Sequence, residues 1–349
     1  MNKAAGKTGN SRIKPTIGKA GEGSMKTVNV LILSAGRRVE LIHCFKDARE
    51  RLGISGKVVA VDLSKTAPAL YHAEGHHLVP PVGSSGYIDE LIRICTEEDI
   101  HLMIPTIDTE LKVLSKNRER IEEATNAKVM ISDPGVIGIC RDKNRTSEFF
   151  REAGVKTPEN IDPGKIAGKD LEFPLFIKPL DGSSSINAFQ VRTMKELEFF
   201  KDYVPNPIIQ RFTEGDEYTI DAFCDFQGRI IHIVPRLRIA TRGGEISKGK
   251  VVKDREIIGE TEKVLKALKP MGHITLQCIR NDQGIYFIEI NPRFGGGAPI
   301  SIKAGADSPE NLYRLLSGET LEYNEDYQDR MMALRYDAAV FLNERDEMV

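Results

Sequence analysis

The chain has 349 residues, 49 basic and 51 acidic, with 40% hydrophobic and 29% charged side chains. That balance is globular, long enough for about two or three domains, and excludes both a disordered chain and, since Gly and Pro show no period, a collagen-like one. A net charge of −2 argues against nucleic acid as a main partner, and no apolar run approaches the roughly 18–20 residues of a membrane span. The five cysteines (Cys44, Cys95, Cys140, Cys224, Cys278) are scattered and form no CxxC pair, so we expect a reduced, cytoplasmic protein without a zinc site or disulfide framework.

Residues 1–24 carry five basic residues against one acidic and almost no large apolar side chain, the composition of a disordered segment. Gly23-Ser24 before Met25 reads as an expression tag and cloning scar, with a natural basic tail as the alternative. From Val28 the pattern alternates. Val28–Leu33 is an apolar strand ending in Ser34-Ala35-Gly36, and Val39, Ile42, Phe45, Ala48 and Leu52 mark a helix. Further strands are expected at Val58–Val61, His77–Val79, Leu102–Ile104 and Val129–Ile131. Helices are expected over Tyr87–Glu98 and from an Asp108 cap through Leu114. Such alternation predicts a parallel sheet, whose ligands sit at the carboxyl ends of strands, where Ser34, Gly36, Asp62, Thr106 and Asp108 fall.

After residue 140 the pattern becomes α+β. Helices are expected over Asn144–Ala153, Met194–Tyr203 and Ile257–Leu268. Strands are expected at Phe176–Lys178, Ala188–Arg192, Ile208–Phe212, Glu217–Cys224, Arg229–Val234, His273–Arg280 and Ile285–Ile290, several joined by hairpin turns such as Asn281–Gly284.

Four stretches carry chemistry. In Phe287-Ile288-Glu289-Ile290-Asn291-Pro292-Arg293, Glu289 and Asn291 are two apart on a strand and share a face. Gln277 lies on the preceding strand, where the hairpin brings it alongside. Three oxygen donors on one face suit Mg²⁺ with substrate phosphates, and Arg293 just beyond could stabilise a transferring phosphoryl group. A buried strand ending in a solvated turn is the plainer alternative. Second, Lys178 ends an apolar strand before Gly182, Ser183, Ser184 and Ser185, a small loop able to wrap phosphates though not a Walker loop, and equally an ordinary turn. Third, Gln210, Arg211 and Phe212 precede an acidic turn and Glu217, which could line an adenine slot and hold ribose hydroxyls, or form a plain hairpin. Fourth, Lys143 opens a helix and could reach a phosphate or stay solvated.

In this order and spacing the four features resemble the ATP-grasp superfamily and, within it, one half of the carbamoyl-phosphate synthetase large chain, over about residues 28–305. The resemblance implies a Rossmann-like pre-ATP-grasp domain followed by a two-subdomain ATP-grasp fold: residues 25–140, a small subdomain over 141–206, and a large one over 207–349. It further implies that Lys143 and Lys178 hold ATP phosphates, with Gly182–Ser185 as the lid. Gln210, Arg211 and Phe212 would form the adenine hinge and Glu217 would bind ribose. Gln277, Glu289 and Asn291 would hold Mg²⁺ (or Mn²⁺), with Gln277 and Glu289 also facing the nucleotide, and Arg293 would be catalytic. The large chain has two such halves and this sequence has one, so a stand-alone relative is expected.

The activity implied is ATP-dependent carboxylate–amine ligation through an acyl phosphate. A synthetase-like enzyme phosphorylating bicarbonate or carbamate, a non-catalytic ATP-binding regulator and, from fold class alone, a dehydrogenase are the alternatives. Arg236, Arg238 and Arg242 could anchor the acid, since arginine binds carboxylate in bidentate fashion; a solvated basic strand is the other reading. Ser34, Gly36 and Arg37 sit at a strand-to-helix turn, a second anion-site candidate. Small-molecule acid and amine partners are expected, with a homodimer possible and no nucleic acid or membrane. His43, His76 and His77 lack convergent partners and read as structural or exposed.

Overall fold

The computed structural model describes residues 27–162, 171–181 and 186–349. Residues 1–24 and the loop Gly182–Ser185 lie outside these. Among the described residues no helix is long and apolar enough to cross a membrane.

The leading unit alternates strand and helix: β1 (Val30–Ile32), α1 (Val39–Leu52), β2 (Val58–Asp62), a 3₁₀ turn (Pro68–His72), β3 (Gly75–Leu78), α2 (Tyr87–Glu97), β4 (Leu102–Ile104), α3 (Asp108–Ala124) and β5 (Lys128–Val129). The strands form a parallel sheet in the order β3-β2-β1-β4-β5. The order reverses between β1 and β4, which leaves a crevice at their carboxyl ends. β1 is buried throughout and helices cover both faces, so its run is continuously apolar rather than alternating. α3 runs well beyond Leu114, and Asp108 is its first residue rather than its cap. Glu110 caps it instead, accepting from the backbone N–H of Thr106 and Ile107 at 2.7 and 3.1 Å. Asp108 is thereby free for another partner.

Two helices follow, α4 (Pro134–Cys140), which the sequence reading did not foresee, and α5 (Lys143–Glu152). Asp142 caps α5 by accepting from Asn144 N and Arg145 N. Next come β6 (Asn160–Ile161), β7 (Leu175–Pro179), β8 (Phe189–Val191), α6 (Met194–Tyr203) and β9 (Pro207–Arg211), in a sheet ordered β6-β9-β7-β8. β9 pairs with β7, which puts it in this small sheet rather than with residues 207–349 as the sequence division placed it. The small sheet has its own core of Leu175, Ile177, Val191, Leu197, Val204 and Ile209.

The large sheet comprises β10 (Asp216–Cys224), β11 (Ile230–Arg242), β12 (Glu245–Val251), β13 (Gly272–Asn281), β14 (Gly284–Asn291) and β15 (Met332–Leu334). Between them lie α7 (Arg255–Leu268), α8 (Ala298–Lys303) and α9 (Ser308–Leu316). Its order is β14-β13-β10-β11-β12-β15 and each neighbouring pair is antiparallel. β11 continues past Val234 to Arg242 and turns back through Gly243-Gly244, whose φ angles of 58° and 76° suit a two-residue hairpin that only glycine forms cheaply. α1 packs on α8 and α9, with Phe45 stacked edge-on against Phe294 and Tyr313 at 5.8 and 6.2 Å. One continuous apolar cluster therefore joins the leading unit to the large sheet.

Candidate active site

Strand register builds the site. Across the large sheet Glu289 pairs with Gln277, Gln277 with Thr219, and Thr219 with Arg236, so β14, β13, β10 and β11 present one row of polar side chains. The next row on that face runs Asn291, Thr275, Asp221. Glu217 and Arg238 flank the first row on the other side, since residues two apart share a face.

A cleft of about 380 Å³ lies between this face and the small sheet. β7 alternates: Leu175 and Ile177 enter the small core, while Phe176 and Lys178 line the cleft, joined at the strand's end by Pro179. Gln210, Phe212, Ile186, Ile279 and Ile288 add a largely apolar wall suited to a flat ring. Lys143 lines the same cleft and donates to Leu180 O at 2.9 Å. Burial lowers the affinity of both lysines for their protons, pushing Lys178 down to about 8, with Glu289 opposing. Gln210 is buried and donates to Asn160 at 2.8 Å. The N–H groups of Arg211 and Phe212 bond Glu159 O and Pro174 O, so they serve the small sheet. The Arg211 guanidinium pairs with Glu159 and Glu172 at the surface.

A second, polar cavity of about 500 Å³ shares Glu217, Gln277 and Glu289 with the first. Thr106, Ile107, Asp108 and Thr109 wall it from the carboxyl end of β4, and Gly295, Gly296 and Gly297 wall it beyond β14. Four arginines line it, each paired with a carboxylate. Arg293 donates to both oxygens of Asp108 at 3.1 and 2.8 Å, and Arg38 to Glu245 at 2.8 Å. Arg238 lies 3.2 Å from Glu217, whose carboxyl is raised by burial with Arg238 opposing. Arg236, 1% exposed, donates to both oxygens of Asp221 at 2.7 and 2.9 Å. Burial would raise the Asp221 carboxyl, but Arg236 and His273 more than offset it and hold it ionised. Ser301 also donates to Asp221, at 2.5 Å.

This corrects the reading of Arg236 as a free bidentate anchor, because Asp221 already occupies its fork. What remains is Nη1, a buried donor with no hydrogen-bond partner among the described residues, beside Gly297, where an added Cβ would come within 2.7 Å. Arg242 lies outside the cavity, paired with Asp337 at the surface. Ser34 donates to Glu110 at 2.7 Å, and Gly36 N donates to Asp62 at 2.8 Å, so that turn satisfies itself. Arg37 is 73% exposed, and its neighbour Arg38 faces the cavity instead. Asp221 and Glu245 went unseen as site residues, whereas Asp108 was legible as a residue at the carboxyl end of a strand and Arg38 as one of two arginines at the strand-to-helix turn; the Gly295–Gly297 run, which permits close approach, is the local signal of a tight wall there.

Among the described residues no cluster of three or more His, Cys, Asp or Glu side chains could hold a metal. Gln277, Glu289 and Asn291 are a different donor set, one carboxylate with two amides. With its Nε2 toward Glu289, the Gln277 amide donates to Glu289 Oε2 at 3.1 Å and accepts from Arg238 at 3.1 Å. Turned over, it sets two oxygens at that same 3.1 Å separation. An octahedron built on Mg–O bonds of about 2.0–2.1 Å has an edge of about 2.9 Å, close to that separation, so Gln277 and Glu289 could share a small divalent cation that retains waters and phosphate oxygens.

Residues 30–130 match the family described as "PylC-like, N-terminal domain" and residues 140–297 the family described as "ATP-grasp domain". The carbamoyl-phosphate synthase of Methanobrevibacter smithii is 23% identical over 254 residues, covering 66% of this chain and 68% of that protein. The 3-methyl-D-ornithine–L-lysine ligase of Methanosarcina acetivorans is 25% identical, covering 76% of this chain and 68% of that protein. The carbamoyl phosphate synthase large chain of Thermoanaerobacter pseudethanolicus is 28% identical over 48% of this chain, which spans only 17% of that protein. In structure, the biotin carboxylase domain of Hydrogenobacter thermophilus 2-oxoglutarate carboxylase, solved with MgADP and bicarbonate, superposes with a TM-score of 0.70 at 20% identity, over 88% of this chain and 73% of that one. The chain thus carries a PylC-like leading domain over residues 30–130 and an ATP-grasp domain over residues 140–297, with the polar cavity lined from both.

Proposed function

We propose that the protein is an ADP-forming carboxylate–amine ligase that activates its acid as an acyl phosphate. The observation that carries this reading is the shared wall: Glu217, Gln277 and Glu289 face a lysine-lined cleft on one side and an arginine-lined cavity on the other. Adenine would lie against Phe176, Ile186 and Phe212, with its phosphates toward Lys143 and Lys178 and its ribose toward Glu217. Gln277, Glu289 and Asn291 would hold Mg²⁺, which when bound neutralises and orients the phosphates.

The chain's own residues do the rest. Lys143 and Lys178 hold the triphosphate in line with the acid. The acid's carboxylate would meet Arg236 Nη1, the one donor of that guanidinium left over by Asp221, and Arg293 would face the transferring group. A carboxylate oxygen bonds the γ-phosphorus as its bond to the ADP oxygen breaks. An amine nitrogen then bonds the acyl carbon, and inorganic phosphate leaves. Arg293 is pre-set by Asp108, so it offers positive charge without reorganising.

A cavity of about 500 Å³ favours an organic acid over bicarbonate alone. ADP release should be screened against a panel of acids and amino acids with hydroxylamine as trap. Hydroxamate from an organic acid supports the ligase reading; ADP release stimulated only by bicarbonate would replace it.

A further inference from the structure

A third cavity, of about 300 Å³, shares Arg38, Gly295 and Gly296 with the arginine-lined cavity and no residue with the nucleotide cleft. Its walls are of two kinds. Leu41 of α1, Ile300 of α8 and Met331, Met332 and Ala333 around β15 make an apolar floor. The rim is basic: Arg37, Lys303 and Arg335, with Glu40 the one acid among the lining residues besides the shared wall. Lys303 is engaged by Asp47 at 2.8 Å, and Arg335 by Ile246 O at 2.9 Å and Glu245 at 3.2 Å. Arg37 reaches Glu245 only at 3.9 Å, beyond hydrogen-bond distance.

Between the two cavities stands an ion triad. Glu245 lines the arginine-lined cavity, Arg335 lines the third, and Arg38 lines both. Glu245 bonds Arg38 through one oxygen and Arg335 through the other. The triad lies directly on Gly296, where an added Cβ would come within 2.6 Å of the Glu245 carboxyl and 2.7 Å of Arg38. A phosphorylated acid must touch the wall shared with the nucleotide cleft, so the third cavity cannot hold it. Its apolar floor and cationic rim suit an organic anion with an apolar body.

Resting on the ligase reading above, we infer that this third cavity seats the nucleophile, an amine with an apolar body that also carries a carboxylate. The carboxylate meets Arg37 and Arg335 at the rim, the body lies on Met332 and Ile300, and the amino group passes the Arg38–Glu245 pair toward the acyl phosphate. The nucleophile enters as an ammonium ion. It first loses one proton to solvent, which frees the nitrogen lone pair; as that nitrogen bonds the acyl carbon and the carbon–oxygen bond to phosphate breaks, a second proton leaves with the phosphate.

The test separates the two halves of the reaction. Hydroxylamine is small and intercepts an acyl phosphate without using the third cavity. With the acid found by the hydroxamate screen, L-leucine, L-methionine and L-phenylalanine are supplied as nucleophiles beside their amides, and product is measured by mass spectrometry. Met332→Trp, at a position 56% exposed, fills the floor; we expect hydroxamate formation within about twofold of wild type and ligation of the free amino acids reduced at least about tenfold. Arg37→Glu should raise KM for a free amino acid by about tenfold while leaving that for its amide within about twofold. Unchanged ligation by Met332→Trp overturns the inference, as does equal use of amino acids and amides by the wild type. Loss of hydroxamate formation in a normally folded Met332→Trp protein also overturns it, since the cavity would then serve the acid. A wild-type protein that forms no hydroxamate from any acid fails at the ligase reading itself.

Discussion

Arg293 and Asp108 are 185 residues apart in sequence and joined by two hydrogen bonds in the structure. Asp108 is 8% exposed and Arg141 approaches it at 3.9 Å, so its carboxylate is enclosed by cations and is the counter-ion of the arginine proposed to face the transferring group. A positioning residue of this kind should act on turnover rather than nucleotide affinity. Asp108→Asn is expected to lower kcat about 10–100-fold with KM for ATP within about twofold, and Asp108→Glu should recover part of the loss. A parallel rise in KM and fall in Tm would show a merely structural role. Glu289 sits at the strand surface between two cavities rather than in the apolar core, so Glu289→Ala should leave Tm within a few degrees of wild type and abolish Mg²⁺-dependent ADP release. Wild-type-like release in that variant would remove Glu289 from the proposed metal-holding set.

At the scale of elements, the Arg38–Glu245–Arg335 triad links α1, β12 and the segment just after β15. Burial alone would raise the Glu245 carboxyl, but Arg38 and then Arg335 outweigh it and hold it down to about 2. A carboxylate whose folded pKa is depressed stabilises the protein above its unfolded value and loses that contribution as pH falls through the folded one. The stability tied to Glu245 should therefore be present above about pH 4.5 and fade toward pH 2, and Glu245→Gln should cost up to about 3 kcal/mol near pH 7. Urea titrations of both proteins at pH 7 and pH 4 check this; a gap that widens at the lower pH would contradict it.

The same scale separates what sequence could show from what it could not. Period-2 alternation through Phe176–Lys178 and the hairpin around Asn281–Gly284 are local signals, and they placed Lys178, Gln277, Glu289 and Asn291 on faces that the register brings to the cavities. β12 and β15 were invisible because Gly243-Gly244 resembles a loose loop, and the five residues Glu245–Gly249 mix charge and glycine on a strand near the sheet edge. Arg37 and Arg38 are indistinguishable as neighbours in a turn; only the approach of β12 decides which one faces inward. The pairing of Asp221 with Arg236, and of Asp108 with Arg293, depends on tertiary packing that no local pattern encodes.

On the scale of the whole molecule, one apolar cluster fixes the leading unit to the large sheet, whereas the small sheet keeps a core of its own. A ligand filling the cleft between the two sheets would bridge units that are otherwise separately packed. ATP with Mg²⁺ at about 100 times its Kd should stabilise the protein by about 2.7 kcal/mol, seen as a rise of several degrees in Tm, and Lys178→Met should remove most of that rise at the same concentration. An equal rise in Lys178→Met would mean that ATP binds elsewhere. The central claim, that the carboxylate itself takes the γ-phosphoryl group, is tested most directly by isotope transfer. With the acid selected in the hydroxamate screen labelled with ¹⁸O in its carboxylate, ATP and amine are supplied and the released phosphate is analysed by mass spectrometry. One ¹⁸O in the phosphate for each amide formed is the result predicted; phosphate free of ¹⁸O alongside normal amide formation would contradict it.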